Sequence, residues 1–357
     1  TAGGTWAATP AGIGAINATT GEVTTIAFGT LTTTYSLANG CSQYHTITVN
    51  ALPAAITGAN DVCVGLATTM HNATTGGTWH GSDNTLAQVH VTDGTVTGLA
   101  HGAVTITYTL PTGCTSTHAF TVNPLPANLT GTFAACEGAL STIDNPGTGG
   151  SWTSGSTAVA TVNTSGTVTA IAAGNSTITY MLPTGCIATQ VYTVHPLPVA
   201  FTGPDAFCQN TSATLSNTLT GGTWVSANLS VASIAPVTGI MTGINAGTTQ
   251  ITYTLPTSCS RVQTVTVHPA VPATTGTATV CELSATALAN SATGGTWASA
   301  ATTVASVDAS GTVSGITAGN VAITYMLPTG CYTTTTVTVH PLPASITGST
   351  QVCEGAI

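Results

Sequence analysis

Apolar and polar positions alternate along most of this chain, and the alternation returns in the same phase about every 73 residues. Ile106-Thr107-Tyr108-Thr109-Leu110 is one such run, and copies of it open at Ile178, Ile251 and Ile323. A period of two puts the apolar side chains on one face of a half-buried strand. Thr, Val and Ile fill these runs, as a pleated surface prefers. Asp93-Gly94, Ser165-Gly166 and Ser310-Gly311 stand between apolar runs, where they predict hairpin turns. No stretch has a helical period. The pattern predicts seven short strands per repeat with a tryptophan on the third, which is the make-up of a two-sheet sandwich.

The repeat fixes the organisation of the chain. Trp6, Trp79, Trp152, Trp224 and Trp297 fall at one phase, spaced 73, 73, 72 and 73. So long a period suits a small independent β domain rather than a solenoid coil. Complete modules are expected at 51–123, 124–195, 196–268 and 269–340. A partial module at 1–50 carries the later strands, and another at 341–357 carries a first strand. Each opens on a proline linker such as Pro124-Leu125-Pro126, and the expected arrangement is a rod. The two partial modules together amount to one module short of about one strand. Either the chain is a window on a longer repeat protein, as the missing strand and the lack of an initiating methionine or signal peptide favour, or 341–357 of one copy completes 1–50 of the next.

Composition narrows the function classes. The chain has no lysine, one arginine (Arg261) and ten acids, yet it is 42% hydrophobic, which argues against disorder. One cation builds no surface for nucleic acid or anionic lipid, and no apolar run reaches the length of a membrane span. The absence of lysine also excludes an isopeptide crosslink. Ten regularly placed cysteines without a Cys-x-x-Cys motif point to disulfides outside the cytosol.

The order Cys-x-Gly, Gly-Gly-Thr-Trp, Val159-Ala160-Thr161-Val162, Gly-Thr-Val-Thr-Gly, Ile-Thr-Tyr and Gly-Cys resembles the bacterial immunoglobulin-like (group 2) repeats. It is most similar to the cysteine-bearing versions in giant surface and secreted proteins of gliding-type bacteria. The resemblance spans the chain. It implies an all-β array of tandem seven-strand immunoglobulin-like sandwiches with a stalk, adhesin or matrix role, and it brings no catalytic residues. The near-absence of charge departs from that group.

The cysteines form two classes. The leading ones, Cys63, Cys136, Cys208, Cys281 and Cys353, follow the first strand; the trailing ones, Cys41, Cys114, Cys186, Cys259 and Cys331, open the last. Two pairings stay open. Within a module, closing a loop of about 50 residues would contribute roughly 4 kcal/mol. A first strand running the full height of the sandwich, however, would put the two cysteines on the order of 20–30 Å apart, against a Cα limit of about 7 Å. Distance therefore leans to staples between neighbours: Cys63 with Cys186, Cys136 with Cys259, Cys208 with Cys331. The tryptophans and the tyrosines six residues before each trailing cysteine are read as core anchors, with a sugar platform as the sharper alternative for tryptophan. His71, His80, His90, His101 and His118 lack ligand spacing and the acids do not cluster, so no metal or cofactor is expected. Nor does any nucleophile–base pair stand out, which argues against an enzyme.

Threonine dominates the outward phase, and the lysines that usually guard sheet edges are missing. Either the edges pack against copies of the same protein, or covalent glycans hydrate them. The Asn-x-Ser/Thr candidates are Asn17, Asn72, Asn128, Asn163, Asn175, Asn210 and Asn228. The functional expectation is a structural repeat protein of an extracellular bacterial filament, stapled by disulfides. The alternative is the stalk of a cell-surface adhesin or a spacer in a secreted protein.

Overall fold

The computed structural model describes residues 3–348, 351, 354 and 355; the expected partial module at 341–357 lies partly outside these residues, and Cys353 wholly so. The described residues are all-β: strands form in sheets and no helix is present. The chain divides into two compact units, Thr1–Val194 and His195–Ile357.

Module 51–123, in the first unit, shows the plan. Its seven strands are Asp61–Cys63, Ala67–Thr69, Thr78–Gly81, Ala87–Val89, Thr95–Gly98, Gly102–Thr109 and Thr115–Asn123. One sheet has the order first–seventh–sixth–third, the other second–fifth–fourth. The sixth and seventh strands pair antiparallel from Gly102↔Val122 to Thr109↔Thr115. The first strand joins the seventh in parallel, with Thr121↔Asp61 and Asn123↔Cys63. The turn between the fourth and fifth strands is the expected Asp-Gly turn: Gly94 sits at φ 75°. A Cβ there would lie 2.6 Å from the Met70 carbonyl oxygen and 2.8 Å from the Trp79 ring, so glycine is required both by backbone and by packing. The same plan recurs at 124–195 and, in the second unit, at 196–268 and 269–340, with a two-residue edge strand (Thr130–Gly131, Thr275–Gly276) added to the second sheet in 124–195 and 269–340.

Alternation puts the apolar phase between the sheets. In module 51–123 this core holds Met70, Trp79, Val96, Val104, Ile106, Tyr108, Phe120 and Val122. The tryptophan on the third strand packs on the tyrosine of the sixth, with ring centroids 4.7 Å apart for Trp79–Tyr108 and 4.8 Å for Trp152–Tyr180. Trp79 and Trp224 are buried, whereas Trp6, Trp152 and Trp297 are half-buried.

One detail differs from the sequence expectation. The first strand does not run the height of the sandwich. Thr57 makes an isolated bridge to His71, and only Asp61–Cys63 then pairs with the seventh strand. Glycine and asparagine in Gly58-Ala59-Asn60 let the chain cross between sheets, with Gly58 at φ 139°. The leading cysteine still ends at the C-terminal end of the seventh strand.

At 3–50 the sandwich is smaller. Gly4–Thr9, Gly29–Leu37 and Ser42–Val49 form a three-stranded sheet, and Gly14–Ile16 pairs with Val23–Thr25. Ser42–Val49 corresponds to the seventh strand of the other modules. Its outer edge carries no strand among the described residues.

Candidate functional site

Each trailing cysteine is placed by a short turn that the sequence spells as Leu-Pro-Thr-Gly-Cys or a close variant. In module 124–195 the Leu182 N–H donates to the Cys186 carbonyl at 2.9 Å and the Gly185 N–H to the Leu182 carbonyl at 2.9 Å. Proline sets the turn and Gly185 takes φ 83°. Equivalent bonds hold Cys41, Cys114, Cys259 and Cys331. Cys63, Cys208 and Cys281 are placed by the parallel pairing of their strands. Cys63 lies in register with Asn123, whose side-chain amide donates to the Asp61 carboxylate at 2.8 Å. The Val64 N–H then donates to the Asn123 carbonyl at 3.0 Å.

These two devices bring cysteines of successive modules together. Cys63 bonds to Cys186 with Cα atoms 5.7 Å apart, and Cys208 bonds to Cys331 with Cα atoms 5.7 Å apart. Of the two pairings left open by spacing, this is the one between neighbours. Cys186 and Cys331 are almost wholly buried, so the bonds are shielded from exchange by outside thiols. Cys136 and Cys259 are also in the disulfide form. Cys41, Cys114 and Cys281, expected in disulfides, are instead free thiols. The pairing rule joins a leading cysteine to the trailing cysteine of the following module, and for these three that counterpart falls at no position among the described residues.

A second recurring device secures the linkers, and the sequence reading passed over it. Asn72, Asn145, Asn217 and Asn290 each donate from Nδ2 to a linker carbonyl (Ala54, Ala127, Val199 and Pro272) at 2.6–2.7 Å. Each also accepts from the N–H two residues on. Their common phase, seven residues before each tryptophan, is the signal that would have found them. Asn72 was a glycosylation candidate; it is half-buried and the nitrogen a sugar would take is already bonded. Asn17, Asn128, Asn163, Asn175, Asn210 and Asn228 are exposed.

The core tyrosines likewise do more than fill space. Tyr180 Oη donates to the Gly147 carbonyl and accepts from the Gly150 N–H at 3.1 Å, which clamps the Gly-Gly turn before the tryptophan. Tyr108, Tyr253 and Tyr325 do the same in their modules.

Three carboxyls on surface turns are held below their usual range. The Asp93 carboxyl is held below its usual range by the Thr95 N–H and hydroxyl, with His90 adding to the effect. The Ser310 hydroxyl and Thr312 N–H lower that of Asp308, and the Thr85 hydroxyl and N–H that of Asp83. Among the described residues no group of three or more His, Cys, Asp or Glu is placed to hold a metal, and no helix is long and apolar enough to cross a membrane.

A short parallel first strand, a Trp–Tyr pair across the third and sixth strands, and two-sheet packing define an immunoglobulin-like module. Residues 45–119 match the bacterial Ig-like domain (group 2) family, and the same core strand order recurs in the other complete copies. No curated protein sequence matches the chain. Among solved structures it is similar to invasin, a bacterial integrin-binding protein, at 16% identity over 87% of this chain and 76% of that one, with TM-score 0.30. The human desmocollin-1 ectodomain is similar at 11% identity over 98% and 94%, TM-score 0.19. Domains 1–6 of the surface layer protein SbsC are similar at 14% identity over 89% and 59%, TM-score 0.20.

Proposed function

We propose that this chain is a structural, non-enzymatic repeat unit of an extracellular bacterial filament or fibre. The observation that carries the reading is the pair of disulfides that join one module to the next. A bond inside a module would stabilise that module alone; a bond between modules resists their being pulled or bent apart. Such bonds persist in an oxidising compartment, which supports the cell surface or the external medium as the site of action.

The surface supports a partner of the same kind. With one cation and ten acids in 357 residues, the outward faces are sparsely charged and offer little for charged partners. Lateral packing against copies of itself, or a glycan cover on the exposed asparagines, supplies what charge does not. Negative-stain images of material secreted under oxidising conditions test this. Laterally associated or end-to-end fibres are expected. Single, separated particles at all concentrations would overturn the filament and favour a stalk that displays some other domain.

A further inference from the structure

In the complete modules the leading segment covers only the end of the seventh strand. In module 124–195 that strand is Ile187–His195, and Ala134–Cys136 lies on its outer edge. The Thr193 N–H donates across this edge to the Phe133 carbonyl at 2.9 Å. Alternate residues of a strand point their backbone groups the same way, so the N–H and C=O groups of residues 187, 189 and 191 face the same edge. Among the described residues no strand pairs with them there. The linker passes nearby but is held to the other sheet. The Asn145 side chain donates to the Ala127 carbonyl, and Thr130–Gly131 pairs with Asp144 and Ile143. A groove of about 470 Å³ is left between linker and strand, lined by Leu125, Leu129, Ile187, Thr189 and Gln190, among others.

The same place is bridged in other modules. At 196–268 the Arg261 guanidinium, the single cation of the chain, donates across it to the Pro198 carbonyl at 3.3 Å. A cation at a strand edge guards against pairing with another chain. At 269–340 the hydroxyls of Thr274 and Thr335 hydrogen-bond across the gap. Ile187-Ala188-Thr189-Gln190-Val191 has no charge and no proline, and Ile187 and Val191 are 49% and 52% exposed. At 51–123 their counterparts are Thr115 and Ala119, which supply no aliphatic pair.

The open length selects a partner. It is bounded by the turn before Ile187 and by the covered Thr193. An antiparallel strand from a second copy that uses all of it centres on Thr189. That register sets Ile187 opposite Val191 of the second copy, Thr189 opposite Thr189, and Val191 opposite Ile187. On the outer face two aliphatic pairs then flank a threonine pair, and such cross-strand pairs stabilise a sheet. On the inner face each Ala188 meets a Gln190, small against large. Residues 187, 189 and 191 all fall in hydrogen-bonded pairs, with about six backbone bonds in total. No charge is brought against a like charge.

We propose that the open edge at Ile187–Val191 is a docking site for the same strand of a second copy of this chain, paired antiparallel about a two-fold axis at Thr189. The inference rests on the filament reading and names its lateral contact. The contact is isologous, so it joins chains in twos. So short a strand pair buries less than the roughly 1,200 Å² of a stable interface. One contact is therefore weak, and it gains strength where many are made side by side along a fibre. A sugar on Asn128, which also lines the groove, fills the partner's place, so paired copies are those without one.

Single cysteines on the outer face of the full chain read the register. The chain is produced without sugar, and Cys41, Cys114, Cys281 and Cys353 are replaced by serine to keep other thiols out of the readout. Cα atoms of a hydrogen-bonded pair are about 5.5 Å apart, within disulfide reach. Ile187 lies on the order of 14 Å from Ile187 of the second copy. Under mild oxidation Thr189→Cys is expected to give a species at twice the 35.1 kDa of the chain. It should do so roughly tenfold faster than Ile187→Cys or Val191→Cys alone, and a mixture of those two should match it. Adding Val191→Lys, an exposed change that guards the edge, should remove the advantage of Thr189→Cys while circular dichroism stays that of the folded chain. Equal rates for the three single cysteines overturn the proposal, as does a fast Thr189→Cys crosslink that Val191→Lys leaves unchanged. Laterally associated fibres that persist with Val191→Lys also overturn it, and leave the filament reading standing. A register-dependent crosslink in a chain that makes no fibre sinks the filament reading and keeps the contact.

Discussion

Removing one staple, by Cys63→Ala with Cys186→Ala, measures what bonds between modules contribute. The two cysteines are 123 residues apart in sequence. The effective loop is shorter, because Cys63 lies beside Asn123 while module 51–123 is folded. When module 124–195 opens against a folded neighbour, the bond closes a loop of only about 60 residues, worth about 4 kcal/mol in lost freedom of the open chain. Hydrogen exchange of the intact chain, read peptide by peptide, reports the opening of each module separately. Protection across Gly174–Met181 is expected to fall by about a thousandfold, while Gly319–Met326 keeps its rate. A fall of less than tenfold would show that the staple does not constrain the opened module, and an equal fall in both segments would show that the modules do not open independently. Either result refutes the argument.

Gly150→Ala places a Cβ 2.4 Å from the Tyr180 ring and should cost about 2–3 kcal/mol, read as lost exchange protection in the same module; Gly155→Ala, whose nearest contact is 3.4 Å, is the mild control. Asn145→Ala removes both bonds that tie the linker to its turn and should cost about 1–3 kcal/mol, with deprotection at Gly147 as the specific sign. The carboxyls of Asp93 and Asp308 titrate below the usual aspartate range. Their folded-state values being lowered, what they contribute to the turns is present above that range and lost as pH falls through the lowered values. Carboxyl carbon shifts check this, and Asn163, which holds the equivalent turn without a titrating group, should leave its turn indifferent to pH. Glycopeptide mapping of secreted material should find sugar on exposed sites such as Asn128 and Asn175 and none on Asn72, whose nitrogen is bonded to Ala54.

Much of the module was legible before any coordinates. Alternation named the strands, because a pleat exposes its two faces to different solvents. The Trp and Tyr phases named the core, and Asp-Gly and Ser-Gly named a turn that needs positive φ. These are local properties, written where they act. The tyrosine hydroxyl clamp and the asparagine latch repeat with the same period but join residues 18 to 34 apart in sequence, so only the folded chain shows what each one grips. Cysteine partnership was the hardest of all. Spacing admits a bond within a module or one to its neighbour, and no residue near either cysteine distinguishes them. The choice is made by the crossing at Gly58-Ala59-Asn60, which carries Asp61–Cys63 to the end of the seventh strand, where the turn of the next module presents Cys186. Sequence determined which sulfurs existed and at what interval; the path of the backbone between two sheets determined which of them came within bonding distance.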